Sequence, residues 1–481
     1  MKTESKNEAA VIKTQDASDF VRYAMKRYGN EVNYNRALPR IEDGLKPIQR
    51  FLLWSSLDMG GDKFVKSAKI TGHCIASYSP HADAATYGSM VNMVNETYPY
   101  FEPQGNFGGP TTEAAAPRYT EARIHPMARK MMVDLPDMKV IPYEDNYDDT
   151  KKQPVFLPCL IPNILLNSSL GIGLAISTKF PGFNLGEVSD ALITYLKTND
   201  IEKAVKKVLA PDDKKCKILS ESEIETLIKT GCGSVLWECD YHIEQLKKRK
   251  AVVITGYCPE FSVKSFLKRC EKMKDEDEIY TIRNETSAKN GDRIVIEFDN
   301  EDVVPKIVKL LRKKITYKMT CLVEENGEPN AKTMGVGDIL TTWTEIRKKI
   351  VIATIAEQMQ HLQERKSRES LKLKVVLDLP KLLKCLEAVD TESELMKQFV
   401  MSQDEAKMIL DMRVDNLKNS DTEKLKKKII ELESEIATLQ ADANNPSKVM
   451  IEQVGDFVKY MKKEFPELLA RKSTVLKEGV I

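Results

Sequence analysis

The sequence predicts a multidomain protein of the α+β class, and three observations carry that prediction. At 481 residues the chain exceeds one ordinary domain. Its middle third holds short runs rich in β-branched residues, separated by lysine-rich stretches of helical character. Its last third holds two long stretches in which apolar residues recur at three- and four-residue steps.

Residues 1 to about 15 are polar and read as an arm. Phe20, Val21, Ala24, Met25 and Tyr28 then share one face at helical spacing, with a stop expected near Gly29 and Asn30. From Arg36 to Pro162 short helical patterns alternate with loops punctuated by Gly and Pro. The run IPNILLNSSLGIGLAI at 161–176 is apolar but interrupted by Gly and Ser. AVVITGY at 251–257 and RIVIEF at 293–298 read as strands. After Ile339 the pattern is helical. Ile352, Ile355, Met359 and Leu362 form one series; Leu425, Ile429, Leu432, Ile436 and Leu439 form another. Two such helices could pair as an antiparallel coiled coil, although the spacing alone also suits surface helices packed on a globular core. Between them Pro380, LLKCL at 382–386 and ILDMR at 409–413 make a small head. Four segments follow: 1–30, 31–162, 163–340 and 341–481.

Composition narrows the function classes. Lys and Arg number 73 against 72 Asp and Glu, a formal net charge of +1, so a surface for a polyanion must come from segregated charge. Nine scattered cysteines form no CxxC pair, and Cys239 with His242 lacks a second ligand pair, so reduced thiols and a cytoplasmic protein are expected. The N-terminus lacks the apolar core of a signal peptide, and no run reaches transmembrane length.

Candidate chemistry centres on AAAPRYTEAR at 114–123, where Tyr119 follows Arg118. A phenol, with an ordinary pKa of about 10, needs help losing its proton and cations to stabilise an attacked phosphate. The Arg118 guanidinium can supply charge and a donor fork. Alone, the dipeptide fits a half-buried packing tyrosine better than a nucleophile. Its company changes the reading: RALPRIEDGLKPIQR at 36–50, KSAKITG at 66–72, YSPHADAATYGSM at 78–90, QGNFGG at 104–109, RYTEAR at 118–123, FLPCLIPNILLNSSLGIG at 156–173 and ILDMR at 409–413.

In the order and rough spacing of these motifs the chain closely resembles the A subunits of DNA gyrase and topoisomerase IV, and their counterparts in bacteriophage type II topoisomerases. The resemblance implies a winged-helix DNA-cleavage domain over 31–162, after an arm and helix over 1–30. It implies an α/β tower domain over 163–340, then an antiparallel coiled-coil arm with a helical dimer gate over 341–481. Tyr119 matches the catalytic tyrosine and Arg118 the arginine beside it. Arg36, Lys46, Arg50 and His81 match basic positions near the cut phosphates, and Lys66, Lys69 and Ser79 lie with His81 in the helix-turn-helix segment. Ile172 matches an isoleucine that wedges between base pairs to bend DNA.

The chain departs from the family at Ser79, where bacterial members usually have histidine, and at Gln49 and Phe51, where basic residues are common. A few extra residues precede Arg36, in YGNEVNYN at 28–35. Ala84 and Gly88 replace the serine and the acidic residue that anchor quinolones, so weak quinolone poisoning is expected. No GxxxxGK[ST] loop is present, and the DxD at Asp275 to Asp277 lies in a lysine-rich stretch that reads as a solvated turn. The resemblance therefore places Mg2+ and ATP on a partner B-type ATPase/Toprim subunit, with double-stranded DNA and a second copy of this chain as further partners. The chain ends soon after the second long helical series, as in the medium subunits of phage enzymes, so relaxation and decatenation are expected. Gyrase-type supercoiling with a separate wrapping module and an inactive DNA-bending scaffold are the rivals. A tyrosine recombinase lacks its Arg/His constellation.

Overall fold

The computed structural model describes residues 16–80, 83–110, 112–219, 222–287, 290–411 and 422–476. The polar arm, His81, and Met412 and Arg413 of the ILDMR run lie outside the described residues. The chain forms two compact units. One comprises Met1–Asp134, Pro142–Trp343 and Phe457–Ile481; the other comprises Leu135–Ile141 and Thr344–Asp456. Helix and sheet are both present, as an α+β chain requires. No described helix is long and apolar enough to cross a membrane.

The first unit opens with α1, Ala17–Val32, capped by the Asp16 carboxylate, which accepts from the Ser18 N–H at 2.7 Å. The helix passes through Gly29 instead of stopping there. Gly29 is buried because a Cβ at that position would meet Leu174, so this glycine marks a close approach and not a terminus. A π-turn, Asn33–Ala37, follows. Pro47 then starts α2 (Pro47–Asp58), with Gln49 Oε1 accepting from the Lys46 N–H at 2.9 Å. α3 (Ser67–Ser77) and α4 (Asp83–Asn95) pack with α2, burying Leu52, Leu53, Ile70, Cys74, Met90 and Met93. Against them lies an antiparallel sheet in the order β1 (Val65–Lys66), β3 (Glu121–Ile124), β2 (Phe101–Gln104).

A larger sheet lies in the same unit. Seven of its nine strands run in the order 281–284, 294–298, 250–256, 232–245, 312–318, 177–180 and 169–172, and Cys216–Ile218 and Thr474–Val475 lie off this path. Strand Cys232–Gln245 is shared between neighbours: residues 232–238 pair with Arg312–Lys318, and 240–245 with Lys250–Gly256. The two runs read as strands in the sequence are Lys250–Gly256 and Ile294–Phe298. Both are buried on both faces, which is why they read as continuous apolar runs without alternation. Cys239 is buried and His242 exposed on this strand. Residues three apart on a strand face opposite ways, so their ligand-like spacing brings nothing together. Asp275 ends a helix and Asp277 lies in the turn beyond it, both exposed.

The second unit holds most of the 41-residue helix Val336–Val376 and the helix Thr422–Asn444. Lys366 pairs with Glu433 at 2.8 Å and Glu369 with Lys428 at 3.3 Å, so the two helices run antiparallel. Between them Leu379–Leu386, Thr391–Phe399 and Gln403–Leu410 close a small core of Leu382, Leu395, Phe399 and Ile409. Asp137 is buried with Arg347 at 3.0 Å and accepts from Thr354 Oγ1 at 2.6 Å, so its charge is paired where water is excluded.

Candidate active site

Tyr119 ends a tight turn just before β3, with its N–H bonded to the Ala116 carbonyl at 2.9 Å. In β3 the buried residues Ala122 and Ile124 alternate with Glu121 and Arg123, and Thr120 continues the inward register. The turn is tied to the start of α3: the Ser67 N–H donates to Thr120 O at 2.9 Å, and the Ala68 N–H to Pro117 O at 3.1 Å. Two of the amides left free at that helix end are thereby satisfied. Below the turn, the Thr120 hydroxyl is hydrogen-bonded to Ser67 Oγ at 2.8 Å and to the Tyr87 hydroxyl at 3.0 Å. The Tyr87 hydroxyl donates to Ala115 O at 2.7 Å. Above it, the Tyr119 side chain is 65% exposed. The Arg118 guanidinium lies 4.7 Å from the centre of the Tyr119 ring, a cation over a π face.

Lys66 and Lys69 flank this turn from β1 and α3, both exposed. Lys66 pairs with Glu121 at 2.9 Å, whereas Lys69 and Arg118 make no ion pair among the described residues. Ser79 is buried, its N–H bonded to Cys74 O at 2.9 Å. Ala84 and Gly88 are exposed on α4, and a Cβ at Gly88 would meet open space.

A second group gathers at the hairpin of Ser169–Ile172 and Ser177–Phe180. Ile172 projects from it, 78% exposed. Lys46 donates through Nζ to Leu170 O, and the exposed Arg36 sits in the π-turn packed on the same strand. Gly171 and Gly173 let that turn approach: a Cβ on the first would strike Ala37 O, and on the second Asn33 Oδ1. The Asn33 amide grips the hairpin tip, accepting from the Leu174 N–H at 2.8 Å and donating to Leu174 O at 3.1 Å. Burial lowers the Lys46 ammonium's pKa, with the charge of Glu96 opposing that shift.

Arg50 is placed otherwise than the sequence suggests. Its guanidinium is 4% exposed, bonded to Asp43 at 2.6 and 3.0 Å and to Leu45 O at 3.1 Å. In this position its Nε and Nη2 donors brace the entry to α2. Sequence reasoning missed Tyr87, Thr120, Ser67 and Asn33. The period-two pattern of β3 could have turned Thr120 inward, but no local signal pairs Asn33 with Leu174. Among the described residues no three His, Cys, Asp or Glu side chains converge to hold a metal ion.

Comparisons with known proteins point to one family. The model of the A-subunit family of DNA gyrase and topoisomerase IV matches residues 36–455. The DNA gyrase A subunit of Thermotoga maritima is 29% identical over 436 residues, covering 86% of this chain and 54% of the relative. That of Campylobacter fetus is 32% identical over 467 residues, covering 91% and 53%. The DNA topoisomerase 4 A subunit of Neisseria gonorrhoeae is 29% identical over 482 residues, covering 90% and 62%. The chain thus spans little more than half the length of these curated relatives. The matched span takes in the Arg118–Tyr119 turn, the Ile172 hairpin and the antiparallel helices, so this chain belongs to the A-subunit family of DNA gyrase and topoisomerase IV.

Proposed function

We propose that this chain is the DNA breakage–reunion subunit of a type IIA topoisomerase, with Tyr119 as the nucleophile. The observation that carries the reading is an exposed phenol on a turn whose backbone is held by buried hydrogen bonds, with the Arg118 cation against its ring. The Tyr119 oxygen attacks a backbone phosphorus in line, the deoxyribose O3′ leaves and takes up a proton, and the 5′ end stays bound as a phosphotyrosyl ester. One phosphoester replaces another, so the reverse attack by O3′ reseals the strand without a ligase cofactor. Arg118 stabilises charge on the phosphate oxygens. Lys66, Lys69, Arg36 and Lys46 hold the duplex backbone without reading its sequence, and Ile172 enters a base step and bends it.

In this reading α2 to α4 with the small sheet form the winged-helix module, the larger sheet belongs to the tower, and the antiparallel helices are the coiled-coil arm. Exposed Leu377, Leu383, Val389 and Val400 on the helical head support a second copy docking there. Two tyrosines related by a twofold axis then cut two strands. A B-type partner subunit holds Mg2+ and ATP.

The test is a trapped-cleavage assay with the B-type partner, magnesium and supercoiled plasmid, quenched with detergent. Wild type is expected to give protein-linked linear DNA, and Tyr119→Phe none. DNA binding without an adduct, with a partner of proven activity, would make the chain a bending scaffold. Plasmid topology in the same reactions separates relaxation from negative supercoiling.

A further inference from the structure

We infer that Tyr87 is a positioning residue for the breakage reaction, acting through Thr120 and Ser67 to hold the backbone on both sides of Tyr119. The inference rests on the nucleophile reading above. The Tyr87 hydroxyl touches the turn twice, donating to Ala115 O four residues before Tyr119 and meeting the Thr120 hydroxyl one residue after it. It therefore bridges the two ends of the segment that carries the nucleophile. Thr120 passes the constraint on to Ser67, whose own N–H holds Thr120 O, so the first residue of α3 grips Thr120 by side chain and main chain together.

Thr120 and Ser67 are fully buried and Tyr87 is half-buried, its ring beside Phe107 at 6.4 Å. Water does not compete for the inner bonds of this chain, and each hydroxyl has a neighbour in it. Ser67 and Thr120 are sealed beneath the turn and the Tyr87 hydroxyl is engaged with Ala115 O and Thr120, so the three act on the turn and through it on Tyr119. Their effect is on where the Tyr119 Cα sits. In-line attack is sensitive to that position, since a displacement of about 1 Å can lower a rate by roughly two orders of magnitude.

The experiment uses the enzyme assembled with its B-type partner. It compares wild type with Tyr87→Phe, Thr120→Val, Thr120→Ser and Tyr119→Phe. It measures the rate of covalent adduct formation at saturating duplex, the duplex Kd by anisotropy, and Tm. Tyr87→Phe keeps the ring packing and removes one hydroxyl. It is expected to slow adduct formation about 10-fold with Kd unchanged within about twofold, as misplacement of a reacting group predicts. Thr120→Val is expected to show the same split, and Thr120→Ser to recover most of the lost rate. Normal adduct rates in Tyr87→Phe overturn the inference. So does a loss of rate that moves in step with Kd and Tm, or a Thr120→Ser variant as slow as Thr120→Val, because packing would then be the cause. An adduct that survives in Tyr119→Phe overturns the nucleophile reading itself.

Discussion

The Glu96 carboxyl is pushed up to about 8. Burial is the main cause and the Asp213 charge adds to it, while Lys214 and Lys46 oppose it. The folded state thus holds a proton that the unfolded chain, with an ordinary value of 4.5, releases earlier. The stability linked to that proton is complete below about pH 4.5 and is lost as pH rises through about 8. Thermal unfolding followed from pH 5 to 9 should show Tm falling toward the alkaline end, and Glu96→Gln should flatten the decline and raise Tm at the top of the range. A slope identical in both proteins would rule Glu96 out as its source. Single residues also show what a sequence can and cannot tell. Tyr119 and Ile172 are both exposed, each on a short segment that its motif spans without a break. The burial of Arg50 was not legible in this way, because its partner Asp43 lies seven residues away and only packing shows that the pair is sealed from water.

The hairpin of Ser169–Phe180 separates two properties that mutagenesis often confuses. Ile172 is solvated at its tip, so Ile172→Ala should change stability by no more than about 0.5 kcal/mol, as for most surface substitutions. The same variant should bend DNA less, read by energy transfer between dyes at the duplex ends, and should cleave more slowly for that reason. An unchanged bend would remove Ile172 from the DNA contact. The hairpin's supports were less legible than its tip. An i to i+4 pattern announced α1, yet its continuation through Gly29 into a π-turn depends on Leu174, far along the chain. The strands at 250–256 and 294–298 were plain from their β-branched runs, since burial on both faces leaves a continuous apolar string.

Across the whole molecule, the first unit leaves its chain at Trp343 and recovers it at Phe457. Its closing segment is fastened by long-range bonds that no local spacing announces. Arg471 pairs with Glu187 at 2.7 Å and donates to Pro211 O at 2.9 Å, and Asp212 accepts from the Lys472 and Ser473 N–H groups at 2.8 and 2.7 Å. Thr474–Val475 then adds a parallel strand beside Cys216–Ile218. Arg471→Met should lower stability by about 2–3 kcal/mol, because it takes the cation from the partly buried Glu187 carboxylate and a donor from the Ala210, Pro211 and Ser473 carbonyls. Urea unfolding followed by tryptophan fluorescence measures this, and an unchanged midpoint would show that the strap is not needed. The near-cancellation of 73 basic against 72 acidic residues has a colloidal consequence. Free copies carrying a net charge of +1 scarcely repel one another, so the approach of two chains toward a dimer meets almost no electrostatic barrier. A duplex brings one negative charge for about every 1.7 Å of its length, so in the proposed function a copy loaded with DNA would become a polyanion, held apart from others of its kind.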